Sequence, residues 1–224
     1  MTNSIKSVIV IGATGLVGKS LIKQLNQHPF CEQITAVVRK EDQALKKYAK
    51  VRQFIIHDSF LLSEDDVKGY SQAFSCLGTT LKKAGSKENF YHIDFEMNAH
   101  FADLIAKTDA HYLLVSAMGA NPSSRIFYNQ VKGRLEQYIQ QLGLQRVSII
   151  RPSLLLGERE ESRILEDATQ KLYRKFSKFV PDTFKYKPVT AEQVAHTMVD
   201  AAQSQNIPFE IYDNLRIQQH KSTI

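Results

Sequence analysis

The chain has 224 residues, 43% of them hydrophobic and 23% charged, with 29 Lys and Arg against 23 Asp and Glu for a formal charge of +6. Those proportions exclude a disordered or collagen-like chain and allow one domain, 1–224, with a sizeable core that needs neither disulfide nor structural metal. Cys31 and Cys76 show no C-x-x-C spacing, and the polar Met1 to Ser7 leads into an apolar run too short for a signal or a membrane span, so a reduced, cytoplasmic protein without a targeting segment is expected.

Ser7 to Ile11 is a β-branched run that stops at Gly12, after which Leu16, Leu21, Ile22 and Leu25 recur at helical spacing until His28-Pro29. Ile34 to Val38 predicts a second strand ending in Arg39-Lys40. A polar, Lys-rich stretch then reads as helical, before a third strand at Phe54 to Ile56 that ends in His57-Asp58. Ala73 to Leu77, Tyr112 to Val115 and Val147 to Ile150 predict three more strands, separated by helical segments at Met97 to Ala106 and Tyr128 to Leu142. The least regular stretch, 157–188, reads as an insertion that shapes a substrate region or lid. Thr190 to Ala202 predicts a helix and Phe209 to Tyr212 a last strand. Short apolar strands alternating with helices require a doubly wound α/β fold of the Rossmann type, a parallel sheet covered on both faces. Ligands bind such a sheet outside the carboxyl ends of its strands.

Gly12-Ala13-Thr14-Gly15-Leu16-Val17-Gly18 spells G-x-x-G-x-x-G between a strand and a helix. There, small residues let backbone N–H groups approach a pyrophosphate at the helix N-terminus. An NAD-preferring site carries an acidic residue about 20 residues further on, to meet the ribose 2′-hydroxyl. Arg39 stands in that place, with Lys40 as a second contact, so a 2′-phosphate and therefore NADP(H) is expected; a solvated pair at a strand end is the plainer reading. Asp58 is placed to meet the adenine edge or to cap the following turn.

Tyr128 and Lys132 share a helix face at i, i+4, where a lysine cation favours the phenolate and lets Tyr128 exchange the proton that accompanies hydride transfer at a carbonyl. The spacing alone arises often by chance; its position carries the inference. Lys132 would also bind the nicotinamide ribose. Ser116 ends the fifth strand, where a hydroxyl can orient the carbonyl and stabilise oxyanion charge. Arg151-Pro152-Ser153 follows the sixth strand, next to the expected nicotinamide.

These residues resemble the short-chain dehydrogenase/reductase superfamily, in particular its atypical branch that includes the Tat-interacting protein 2 oxidoreductase subgroup. The likeness rests on G-A-T-G-L-V-G at Gly12 to Gly18, C-L-G-T-T at Cys76 to Thr80, K-A-G at Lys83 to Gly85, S-A-M-G-A-N at Ser116 to Asn121, Ser123-Ser124, Y-N-Q-V-K-G at Tyr128 to Gly133 and R-P-S-L-L-L-G at Arg151 to Gly157. It implies an NADP(H)-binding domain, a catalytic set of Ser116, Tyr128 and Lys132, and Cys76, Leu77, Gly78 and Thr79 lying along the cofactor. Two features depart from the superfamily. Where many members use a helix asparagine to support the lysine through water, this chain has Asp94, with Asn98 one turn later. The region after the arginine-proline motif is also shorter than in sugar-nucleotide epimerases, which disfavours nucleotide-sugar substrates.

The seven histidines form no H-E-x-x-H or clustered ligand set, so no metal is expected. Basic residues lack the aromatic interleaving of single-strand binders, which disfavours nucleic acid as a partner. Lys171 to Phe179 alternates basic and apolar residues and reads as a lid ahead of a membrane-surface contact. Helices around Met97 and Tyr128 can pair in a homodimer. The function expected is an NADP(H)-dependent reductase or dehydrogenase acting on a small carbonyl or alcohol. The rival is a non-catalytic NADP(H)-binding sensor or assembly factor.

Overall fold

Each apolar run of the sequence becomes a strand of one parallel sheet in the computed structural model, which describes residues 4–156 and 184–220. The strands are β1 (Ser7–Ile11), β2 (Gln33–Val38), β3 (Val51–Ile55), β4 (Gln72–Ser75), β5 (His111–Val115), β6 (Val147–Ile150) and a late strand, Phe209–Tyr212. A small parallel pair joins β7 (Leu155–Leu156) to β8 (Val189–Thr190), which makes the late strand β9. The main sheet runs β3-β2-β1-β4-β5-β6-β9, with every neighbouring pair parallel.

Crossover helices cover both faces. They are α1 (Leu16–Gln27), the short α2 (Leu81–Ala84) and α3 (Lys87–Tyr91), α4 (Met97–Ile105), α5 (Phe127–Gln141), α6 (Ala191–Ser204) and the short α7 (Asn214–Gln218). Alternate residues of β1 feed two cores. Val8 and Val10 pack with Leu21 and Leu25 of α1 and Val194 and Met198 of α6, while Ile9 and Ile11 face Phe101, Ile105, Leu135 and Ile139 of α4 and α5. Thr190 starts α6 with a capping box: its side chain accepts from Gln193 N, and the Gln193 side chain accepts from Thr190 N.

Two expected elements differ. The Lys-rich stretch after β2 is not a helix but a single 3-10 turn at Gln43–Leu45. Asp42 caps that turn, and the Gln53 side chain both accepts from Asp42 N (2.8 Å) and donates to its carbonyl (2.9 Å), tying the connection to β3. The third strand begins earlier than Phe54, at Val51. As an edge strand, half-buried or exposed at all five positions, it includes Arg52 and Gln53, whose polarity hides it from a search for apolar runs. Most of the expected insertion, including Lys171 to Phe179, lies outside the described residues.

Candidate functional site

Between β1 and β4 the winding reverses direction, and a cleft of about 590 Å³ opens at the carboxyl ends of the strands. One bank is backbone. Gly12 sits at φ +71°, and a Cβ there would fall 2.4 Å from the carbonyl carbon of Cys76; a Cβ on Gly18 would fall 2.2 Å from the Gly12 oxygen. Only glycine lets the β1 turn, the β4 turn and α1 come this close. Gly15 is the N-cap of α1, with no side-chain cap and no acidic residue in the first turn, and its N–H donates to Gly12 O at 3.0 Å. The helix N-terminus thus faces the cleft through Thr14 to Val17 with its positive end uncompensated, and it can hold the pyrophosphate of a dinucleotide. Lys19 also lines this bank, as do Leu77 to Thr79 and Lys83 after β4.

The other bank is buried charge. A π-helical turn at His92–Glu96 leads into α4 and carries Asp94, which is fully buried. Lys132 on α5 reaches across, its Nζ 2.8 Å from Asp94 Oδ1, while Asp94 Oδ2 accepts from Thr79 N at 2.8 Å. Burial alone would push the Lys132 ammonium down. The Asp94 carboxylate, assisted by Tyr128 and Glu136, outweighs that and holds it above its ordinary value, so the lysine stays charged. Tyr128 lies one turn earlier on α5, half-buried in the same cleft, with its ring 5.5 Å from that of Phe90. Asn98 is turned away from the lysine. Its amide donates to the carbonyls of Ile93 and Asp94, and its side-chain oxygen accepts from Ser75 Oγ. Asp94 is therefore the residue that supports Lys132.

Ser116 also lines the cleft, and its hydroxyl donates to Glu136, one turn beyond Lys132 on the buried face of α5. Glu136 is in turn gripped by Arg151, whose Nε donates to both carboxylate oxygens at 3.1 and 3.2 Å and whose Nη2 donates to Oε2. The loop after β5 is fixed by Met118 N donating to Pro152 O (2.9 Å) and Asn121 N donating to Asn129 O (3.0 Å).

Of the residues singled out in the sequence, Thr14, Gly15, Leu16, Val17, Cys76, Leu77, Gly78, Thr79, Ser116, Tyr128 and Lys132 come together around the cleft. Gly12 and Gly18 lie behind its wall as spacers. Arg39 and Lys40 are exposed at the end of β2, outside the lining, and Asp58 caps the next turn by accepting from Phe60 N at 3.0 Å. Arg151, Pro152 and Ser153, expected beside the nicotinamide, do not line the cleft. The guanidinium is spent on Glu136, Pro152 is buried, and Ser153 donates its hydroxyl to Lys187 O (2.7 Å) and its N–H to Asn214 Oδ1 (2.8 Å). Burial pushes the Cys76 thiol up to about 12, and its Sγ rests 4.0 Å from Met198 Sδ, so it walls the cleft as an inert neutral group. Glu136 escaped the sequence reading. Its signal was an acidic side chain four residues after Lys132, on the apolar face of the helix.

Sheet order, switch-point cleft and uncapped glycine turn together define an NAD(P)-binding Rossmann fold of the oxidoreductase type. Residues 7–124 match the family model described as semialdehyde dehydrogenase, NAD binding domain. "Protein FMP52-1, mitochondrial" of Scheffersomyces stipitis is 35% identical over 199 residues, covering 88% of this chain and 88% of that protein. "Protein HTATIP2" of Rattus norvegicus is 35% identical over 187 residues, covering 80% of this chain and 73% of that protein. An oxidoreductase of the short-chain dehydrogenase/reductase family from Burkholderia thailandensis superposes with a TM-score of 0.67 at 14% identity, over 96% of this chain and 93% of that one. The chain belongs to this NAD-binding family and, with FMP52 and HTATIP2, to the atypical short-chain dehydrogenase/reductases. The expected cytoplasmic location is corrected by the same comparison: the FMP52 relatives are named mitochondrial, which points away from it. Composition and a short apolar run at the N-terminus could not carry that information.

Proposed function

We propose that the protein is an NADP(H)-dependent reductase acting on a small carbonyl compound. The observation that carries this reading is a buried lysine, kept charged by Asp94, on the same cleft as a tyrosine and an open helix N-terminus. Backbone N–H groups of the glycine turn and of the first turn of α1 would hold the pyrophosphate, Lys132 the nicotinamide ribose, and Arg39 with Lys40 the 2′-phosphate at the rim. When bound, the nicotinamide supplies a hydride to the carbonyl carbon. Tyr128 gives its phenolic proton to the carbonyl oxygen, and the Lys132 cation offsets the negative charge left behind. Asp94 keeps that cation in place and aims it, while Thr79 N fixes Asp94.

The test is thermal stabilisation by NADPH, NADP+, NADH and NAD+ in wild type and Arg39→Ala, followed by a carbonyl screen with Tyr128→Phe as control. The expected result is selective stabilisation by the phosphorylated nucleotides, lost in Arg39→Ala, and turnover reduced by a factor of about 10² to 10⁴ in Tyr128→Phe. No stabilisation by any dinucleotide would overturn the proposal. The Asp94–Lys132 pair would serve cofactor retention equally well in a non-catalytic sensor. Full biological activity of Tyr128→Phe would favour that second reading.

A further inference from the structure

The hydrogen bond between Ser116 and Glu136 has a fixed direction. The Arg151 guanidinium is permanently charged and donates to both oxygens of Glu136, so Glu136 is ionised there, and an ionised carboxylate can only accept. Ser116 must therefore be the donor, and a hydroxyl has one proton to give. What remains on the cleft side of Ser116 Oγ is lone pairs.

We infer that Glu136, clamped by Arg151, sets the polarity of the Ser116 hydroxyl, so that this side chain accepts from the ligand and selects an α-hydroxycarbonyl compound over a plain ketone. The inference rests on the reading of the cleft as a carbonyl site and revises one role within it. Tyr128 alone donates to the carbonyl oxygen, and Ser116 receives the proton of a hydroxyl on the neighbouring carbon. A hydroxyl fits better than an ammonium, since it brings no second positive charge into a cleft that already holds buried Lys132. Glu136 acts through Ser116 and is a positioning residue.

Chemistry at Glu136 gives the inference a distinctive test. In Glu136→Gln the amide oxygen must face Arg151, which only donates, and the amide N–H₂ then points at Ser116. Ser116 becomes an acceptor from Gln and turns its proton toward the cleft. The probes are α-hydroxyacetophenone and acetophenone, titrated against protein loaded with whichever dinucleotide stabilises it, with Kd read by thermal shift and by cofactor fluorescence. One hydrogen bond corresponds to a preference of about tenfold for the hydroxy ketone in wild type. Ser116→Ala is expected to bring that ratio near unity, and Glu136→Gln to abolish or invert it. Because the ratio compares two ligands on one protein, general damage to the fold does not move it, and Ser116→Ala leaves the Glu136–Arg151 pair intact should the Gln variant fail to fold. Equal affinity for both ketones in wild type, or an unchanged preference in Ser116→Ala, would overturn the inference while leaving the carbonyl reading standing. Failure of every dinucleotide to bind would overturn both.

Discussion

The two banks of the cleft are built on different physics. The bank formed by the turns after β1 and β4 holds its shape by leaving side chains out: at Gly12 and Gly18 backbone sits where a Cβ would be, and the site it offers is a helix end. The bank on α4 and α5 holds its shape by burying charge, Lys132 against Asp94 and Glu136 against Arg151. The first binds through groups every residue owns; the second does chemistry through groups that are costly to bury and stay only because they are paired. A change in the first bank should therefore act through sterics and be insensitive to pH, whereas a change in the second should act through uncompensated charge.

The largest expected effect sharpens that contrast. Asp94→Ala strands a buried ammonium and should cost about 3–5 kcal/mol of unfolding free energy in urea melts. Asp94→Asn, which can still accept from Thr79 N, should recover only part of the loss. If both variants were as stable as wild type, the second bank would not be held by charge. Gly18→Ala comes next. Its methyl would meet the Gly12 carbonyl at 2.2 Å, and about 1–3 kcal/mol should be lost together with dinucleotide-induced stabilisation. A variant of normal stability that still responds to dinucleotide would break the steric account of the first bank.

The smallest effect is a slope at alkaline pH, to which each bank contributes one group. Cys76 in the folded protein is raised from 9.0 to about 12, so its contribution is complete below pH 9 and is lost as pH rises toward 12. Lys132 is raised above 10.5, so its contribution is complete below that value and is lost as pH climbs through the folded one. Stability measured from pH 8 to 11 should fall by at most about 1.4 kcal/mol per pH unit for each group. Cys76→Ala should flatten the part between pH 9 and 10.5 and leave the steeper part above it. A decline untouched by that substitution would place the titrating group elsewhere.

The same division explains what could be read from the chain. The seven strands of the main sheet, α1 and the glycine turn are local patterns, carried by Ser7 to Gly18 and its counterparts, and they reappear with small shifts at their ends. Tyr128 and Lys132 were legible as a pair because i, i+4 on a helix is a contact in itself. Asp94 was visible as a residue but not as the partner of Lys132, and Glu136 was not visible at all, because the crossover between β4 and β5 and the loop after β6 decide what those carboxylates meet. Arg151 shows the converse. Its position after β6 predicted a place beside the cofactor, yet a bidentate carboxylate nearby competes successfully for its guanidinium.

The sheet order also has a consequence in time. β1, the first strand to be made, ends with a neighbour on each side, and β4, β5, β6 and β9 add beyond it in the order of their synthesis, each waiting for its own crossover before it can pair. No pair can close early as a hairpin. α6 packs on α1, so the last long helix among the described residues seals the first, and one apolar face of the opening β-α-β unit stays uncovered on a growing chain until residues 191–204 have been added.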